Sequence, residues 1–142
     1  MKNAKLLLGV FAAVAMLTSC GDDDNNSTSA SIVGKWAYSK DGVSAQGQEM
    51  LLDYEHTEGC NKDYVEFTAD GKYFDVEYPT GCVADTIYNE TYVKDGNTLT
   101  TGIGTDAETV TIETLSNTEL KIKSSYTESG VTVNYVTVFT KQ

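Results

Sequence analysis

Two Asp-Gly dipeptides, Asp70-Gly71 and Asp95-Gly96, each stand between runs in which apolar and polar residues alternate. Such a dipeptide is a strong hairpin signal, because both residues tolerate the positive φ that a two-residue turn requires. The first turn separates residues 63–68 from 72–78, and the second separates 85–94 from 97–103. Residues 33–40 precede them as a first strand, with Trp36 and Tyr38 on one face. Glu108–Leu115 and residues 119–124 follow, joined across Ser116-Asn117-Thr118, and a last pair of strands turns near Ser129-Gly130. Short strands at this spacing predict an all-β fold. Consecutive hairpins favour an eight-stranded antiparallel up-and-down (meander) β-barrel over a Greek key, and closure removes the edge strands.

The turns set the register. A two-residue turn at Asp70-Gly71 opposes Phe67 to Phe74 and Val65 to Val76 on one face, and Glu66 to Asp75 on the other. Setting Lys94 opposite Asn97 brings Tyr92 to Leu99 and Tyr88 to Ile103. A three-residue loop at 116–118 aligns Ile112 with Ile122 and Glu113 with Lys121, whereas a two-residue loop would oppose Ile112 to a lysine. The last hairpin pairs Leu120 with Phe139 and Tyr126 with Val133. Residues 41–62 have weak periodicity, and a short helix or an extra strand both remain open there.

In a small barrel the core and any ligand lining share one face. The candidate lining is Trp36, Val65, Phe67, Phe74 and Val76, with Tyr88, Glu90, Tyr92 and Tyr135 from later strands. An inward Glu90 would be a buried carboxylate needing a partner or a raised pKa.

The N-terminus reads as an address. Lys2 and Lys5 precede the apolar run LLLGVFAAVAML, residues 6–17. That run is short of the roughly 20 residues that span a bilayer, so residues 1–19 are expected to be a signal peptide and not part of the fold. The run ends Leu17-Thr18-Ser19-Cys20, which resembles the lipobox of bacterial lipoproteins. The resemblance implies cleavage before Cys20 and acylation of that cysteine, with two or more chains giving a stable anchor. The polar stretch that follows, containing Asp22-Asp23-Asp24, is expected to be a solvated tether over residues 20–31. An acidic run in this place resembles the surface-export signal of Bacteroidetes lipoproteins, while a plain spacer would leave the protein on the periplasmic leaflet.

Cys60 and Cys82 remain once Cys20 is set aside. Export into an oxidising compartment and an even count point to a disulfide. The pair lies near the open end of the first Asp-Gly hairpin, within disulfide reach. A redox or metal pair would call for a CxxC or more than the one histidine, His56.

The chain carries 10 basic and 21 acidic residues, a formal net charge of −11, and every basic residue is lysine. Nucleic acid is therefore not an expected partner. No metal site and no cofactor motif emerges, and a lone histidine offers no nucleophile–base–orienter set, so the chain is not expected to be an enzyme.

Gly34-Lys35-Trp36 matches the GxW motif of lipocalins. The order of lipobox, acidic tether, IVGKW opening, cysteine, VEFTADGKY hairpin and second cysteine resembles small lipocalin-like lipoproteins of Bacteroidetes. The resemblance covers residues 32–142. It implies a barrel domain with a cup open at one end and the motif tryptophan at the other, beneath a basic side chain from the last strands. Without arginine, that partner is Lys141 or is missing. It also implies that residues 41–62 lie over the mouth. The expected function is a lipid-anchored outer-membrane protein, displayed at the surface, that binds a small apolar or amphipathic molecule. The alternative is a filled barrel serving as an accessory or interaction subunit of an envelope complex, with no ligand.

Overall fold

A computed structural model describes residues 30–128 and 131–142; the expected signal peptide, Cys20, most of the expected tether and the turn at Ser129-Gly130 lie outside the described residues. Nine strands occur among these: β1 (Gly34–Ala45), β2 (Gln48–Asp53), β3 (Tyr64–Phe67), β4 (Lys72–Glu77), β5 (Asp85–Asp95), β6 (Thr98–Thr101), β7 (Glu108–Leu115), β8 (Glu119–Glu128) and β9 (Val131–Lys141). From β3 onward each strand pairs with the next, and β9 returns to β1, so eight antiparallel strands close a barrel. The ninth, β2, is the extra strand left open by the sequence. It pairs with Lys40–Ala45 of β1, while β3 takes Gly34–Ala37.

Alternation decides what points inward. A single cluster gathers Trp36, Val65, Phe67, Leu99, Ile112, Leu120 and Phe139, capped from below by Ile32. Tyr73 of β4 and Tyr92 of β5 pack against it, so every barrel strand contributes. The cluster plugs one end. There the Trp36 Nε1–H donates to the Ile32 carbonyl at 2.7 Å, and the Lys141 ammonium lies 4.2 Å from the ring centroid. Lys141 also donates to the Val33 carbonyl. Gly34 makes this possible, since a Cβ there would come within 2.8 Å of the Lys141 Nζ.

β2 folds back over the outside. Its Glu49 pairs with Lys121 of β8 at 2.6 Å, yet β1 and β9 separate those strands in the sheet. A flat sheet would hold them about 14 Å apart at the usual strand spacing. Beneath this fold-back, Ala37, Val136 and Val138 of the outer face are buried.

Three registers differ from the sequence expectation. At the first Asp-Gly turn Phe67 pairs with Tyr73, Val65 with Asp75 and Glu66 with Phe74. The turn is a three-residue loop closed by Thr68, whose backbone N–H donates to the Lys72 carbonyl and whose hydroxyl accepts the Lys72 N–H. Gly71 takes the positive φ such a loop needs. This one-residue slip exchanges the faces of β4. Phe74 and Val76 therefore lie on the outer face and are not lining; Tyr73 and Asp75 turn inward in their place. In the second hairpin Asp95 pairs with Thr98, which sets Tyr92 opposite Thr101 and Lys94 opposite Leu99. A two-residue shift keeps every face, but Tyr88 no longer meets Ile103. Ile112 does pair with Ile122, but a bulge follows and Thr114, not Glu113, lies opposite Lys121. Glu113 still forms ion pairs with Lys121 and Lys123. In the last hairpin Leu120 pairs with Phe139 and Tyr126 with Val133, as expected.

Cys60 and Cys82 form the disulfide, with Cα atoms 5.0 Å apart. It joins the β2–β3 connection to the β4–β5 connection at the open end of the barrel. Replacing both cysteines by serine is expected to lower stability by about 3 kcal/mol, the loop-closure value for this separation. Urea unfolding measures it; a loss below about 1 kcal/mol would mean that packing alone holds these connections.

Candidate functional site

The open end is built by residues 38–39 of β1, where the neighbouring strand changes from β3 to β2. The Tyr38 N–H still donates to the Asp63 carbonyl, and the Tyr54 N–H donates to the Ser39 carbonyl. Between them the ladder is interrupted, and His56 fills the gap. Its Nε2–H donates to the Tyr38 carbonyl at 2.9 Å, and its Nδ1 accepts the Asp63 N–H at 3.1 Å. One nitrogen donates and the other accepts, as in a neutral imidazole. The connection that carries His56 also stacks Tyr54 on Tyr38, with centroids 4.7 Å apart. Residues 54–63 thus cover part of the mouth, whereas residues 41–53, which the resemblance also placed there, form the end of β1, a turn and β2.

Two buried carboxylates stand beneath this cover. Asp63, 6% exposed, accepts the Tyr78 N–H at 2.6 Å and lies 3.5 Å from His56 Nδ1. Asp75, 8% exposed, accepts the Tyr38 hydroxyl at 2.9 Å through Oδ2. Its Oδ1 is enclosed and receives no well-aligned hydrogen bond from any described residue. Burial is the main force pushing the Asp75 carboxyl up to about 6; Glu77 and Asp63 add to it, while the Tyr38 hydroxyl and the Val76 backbone oppose it. Burial, and then the Asp75 charge, raise the phenols of Tyr38 and Tyr73. Burial and the nearby Asp63 push Tyr54 up to about 12.

Below the mouth lie two adjoining chambers. The lower, about 90 Å³, is walled by Val65, Phe67, Leu99, Val110, Ile122 and Phe139, among others. The upper, about 140 Å³, is lined by Tyr73, Tyr88, Glu90, Thr101, Asp106 and Glu108. Tyr73, Thr101 and Glu108 border both, so an apolar floor passes into an acidic, tyrosine-rich collar. Neither wall contains a basic side chain. A groove of about 340 Å³ beside β5 shares Glu90 and Asp106 with the upper chamber, and Lys72 lines its outer side.

The expected lining residues are thus distributed. Val65 and Phe67 line the floor, and Tyr88 and Glu90 line the collar. Trp36 is fully buried in the plugged end, and Tyr92 packs edge-on against Phe67. Tyr135 is inward by alternation but 52% exposed, at a rim groove with Glu108 and Tyr126. Sequence reasoning missed Tyr73, Asp75, Thr101 and Glu108. The available signal was Thr68, whose side chain can close a three-residue turn and so move the β4 register.

A model of the lipocalin-like domain family matches residues 32–122. The chain belongs to the lipocalin-like domain family. The matched stretch runs from the start of β1 into β8, so the closing strand β9 lies beyond it. Similar solved structures include a deswapped triple mutant of bovine odorant-binding protein, 16% identical, with a TM-score of 0.42, covering 77% of this chain and 72% of that one. Another is bovine odorant-binding protein in complex with a selenium-containing odorant, at 14% identity, the same TM-score of 0.42 and the same coverage. No curated protein matches.

Asp75 makes this lipocalin-like domain sensitive to pH. Between pH 4 and 6 the folded carboxyl keeps a proton that the unfolded one has released, so the folded state binds more protons and stability falls as pH rises. The loss from pH 4 to 7 is about 2 kcal/mol for a shift of this size. Asp75→Asn is expected to stabilise the domain at pH 7 and to remove this fall relative to the native chain. Thermal unfolding across pH measures it; parallel curves for the two proteins would show that Asp75 ionises freely.

Proposed function

We propose that this lipocalin-like protein is a lipid-anchored binding protein of the bacterial outer membrane, displayed at the cell surface, and that it holds a small amphipathic molecule in its cup. One observation carries the binding part: an apolar floor opens through an acidic collar to the mouth, while Trp36 and Lys141 plug the opposite end. The lipobox-like ending at Cys20 and the acidic run behind it support the anchor and its placement. A binding role is preferred to catalysis because both nitrogens of His56 are occupied by the backbone, which leaves the one histidine no free atom for proton transfer.

A protein or glycan face, the rival to an internal cup, would be favoured if Tyr38, Tyr54, Tyr64 and Tyr73 shared an exposed surface. They do not. Tyr38 and Tyr73 are inward and Tyr54 stacks on Tyr38, while Tyr64 lies outside against Lys35 and Tyr78.

Native mass spectrometry of the protein purified from its own envelope tests the cup. An adduct that persists in the folded state and is lost on unfolding is expected; a bare mass over repeated mild preparations would favour the filled barrel. For the anchor, Cys20→Ala is expected to move the protein from the membrane fraction to the soluble envelope fraction. Retention in the membrane would overturn lipidation at that residue.

A further inference from the structure

We infer that the molecule held in the cup is a small organic cation, an amine with a short apolar or aromatic tail, whose ammonium is received by Asp75 with Glu90 and Glu108. The inference rests on the reading of the barrel as a binding cup and specifies what that cup takes.

Three observations carry it. First, the collar has carboxylates and no cation of its own. Glu90, Asp106 and Glu108 line the upper chamber, and Asp75 stands on the same inner wall, directly across from Tyr88 and two residues along β4 from Tyr73. Second, the Asp75 carboxylate is more than nine-tenths buried with Oδ1 unsatisfied. A buried charge without its full set of donors is a standing penalty, relieved by a bound group that brings both a proton donor and a positive charge. Asp63, under the same cover, leaves no enclosed oxygen without a partner, whereas Asp75 does. Third, the Tyr73 phenol stands in the field of Asp75, Glu108 and Glu90 at once, so these carboxylates surround the point where the two chambers meet. An ammonium suits carboxylates spread in this way, because its three N–H groups donate in different directions.

The remaining chemistry is consistent. Tyr73 and Tyr88 offer aromatic faces beside the carboxylates, and a desolvated cation gains from such faces. Tyr88, the residue directly across from Asp75, is half exposed. The lower chamber, walled by Val65, Phe67 and Leu99, takes the apolar tail, and its volume limits that tail to about a ring. The net charge of −11 draws cations toward the protein from a distance.

The test is calorimetric titration of the full chain in nanodiscs with three probes of one shape: 2-phenylethylamine, 2-phenylethanol and 3-phenylpropanoate. The amine is expected to bind at least tenfold more tightly than the alcohol, with the carboxylate weakest. Asp75→Asn keeps the side-chain shape and relieves the burial of charge, so the variant should fold; it is expected to weaken the amine at least tenfold and to leave the alcohol nearly unchanged. Glu108→Gln should weaken the amine by a smaller factor and serves as the second variant. Equal affinity for amine and alcohol would overturn the cationic ligand and leave the cup standing. Preference for the carboxylate, or no binding of the amine at all, would also overturn it. If mass spectrometry also finds no adduct, the cup itself fails.

Discussion

The pairing of β1 with β9 is the contact on which the rest of the molecule depends. The two strands are the ends of the barrel sequence, so their ladder is the most non-local in the molecule and carries the largest loop-closure cost. It is secured where chain ends usually fray. Trp36 on β1 and Lys141 on β9 lie against each other, with the ammonium over the indole face and bonded to the Val33 carbonyl. Gly34 contributes by having no side chain. The glycine and tryptophan of the GxW motif therefore describe one physical device, a clearing and a ring, and the lysine is the part that enters it. Burial lowers the Lys141 pKa, which is the expected sign for an ammonium drawn partly out of water.

Plugging one end with hydrocarbon leaves the polar groups for the other. The cluster around Trp36, Leu99 and Leu120 fills the barrel to about the level of Phe139. Above it the inward positions become Tyr38, Tyr73, Asp75, Glu90, Thr101 and Glu108. Cross-connections stiffen this end: the Cys60–Cys82 disulfide, the Asp63 clamp on the Tyr78 backbone, and the His56 bridge across the broken ladder. Each fixes the frame of the mouth, and none supplies a donor to the free oxygen of Asp75. A rigid frame around an unsatisfied group is the arrangement expected of a preorganised site.

Most of the fold was legible in the sequence because hairpin chemistry is local. The alternation of β8 and β9, the disulfide and the Trp36–Lys141 contact follow from spacing, from residue type, or from the GxW resemblance. What escaped was set by interactions that alternation does not encode. β2 is a strand because it folds over the outer face, where Glu49 reaches Lys121 and Val136 and Val138 need cover. The bulge after Ile112 lets Glu113 reach two lysines at once. The site was the least legible part. It depends on the parity of β4, and parity depends on one hydroxyl.

That hydroxyl belongs to Thr68. An Asp-Gly dipeptide serves a two-residue turn and a three-residue turn equally well, since each can place glycine at positive φ. Thr68 decides between them by bonding Asp70 and the Lys72 N–H through its side chain. A two-residue turn would direct Phe74 and Val76 into the barrel and Asp75 into solvent, giving an apolar interior without chemistry. The three-residue turn instead places Tyr73 and Asp75 inside, where ionising the aspartate opposes folding. Since the outward arrangement would relieve that penalty, the observed register must recover its cost from packing at the turn and in the core, with Tyr73 on Phe67 and Tyr92 bonded to the Thr68 carbonyl. The acidic collar is thus held by the same contacts that build the apolar floor beneath it, and the cup and the core are two faces of one register.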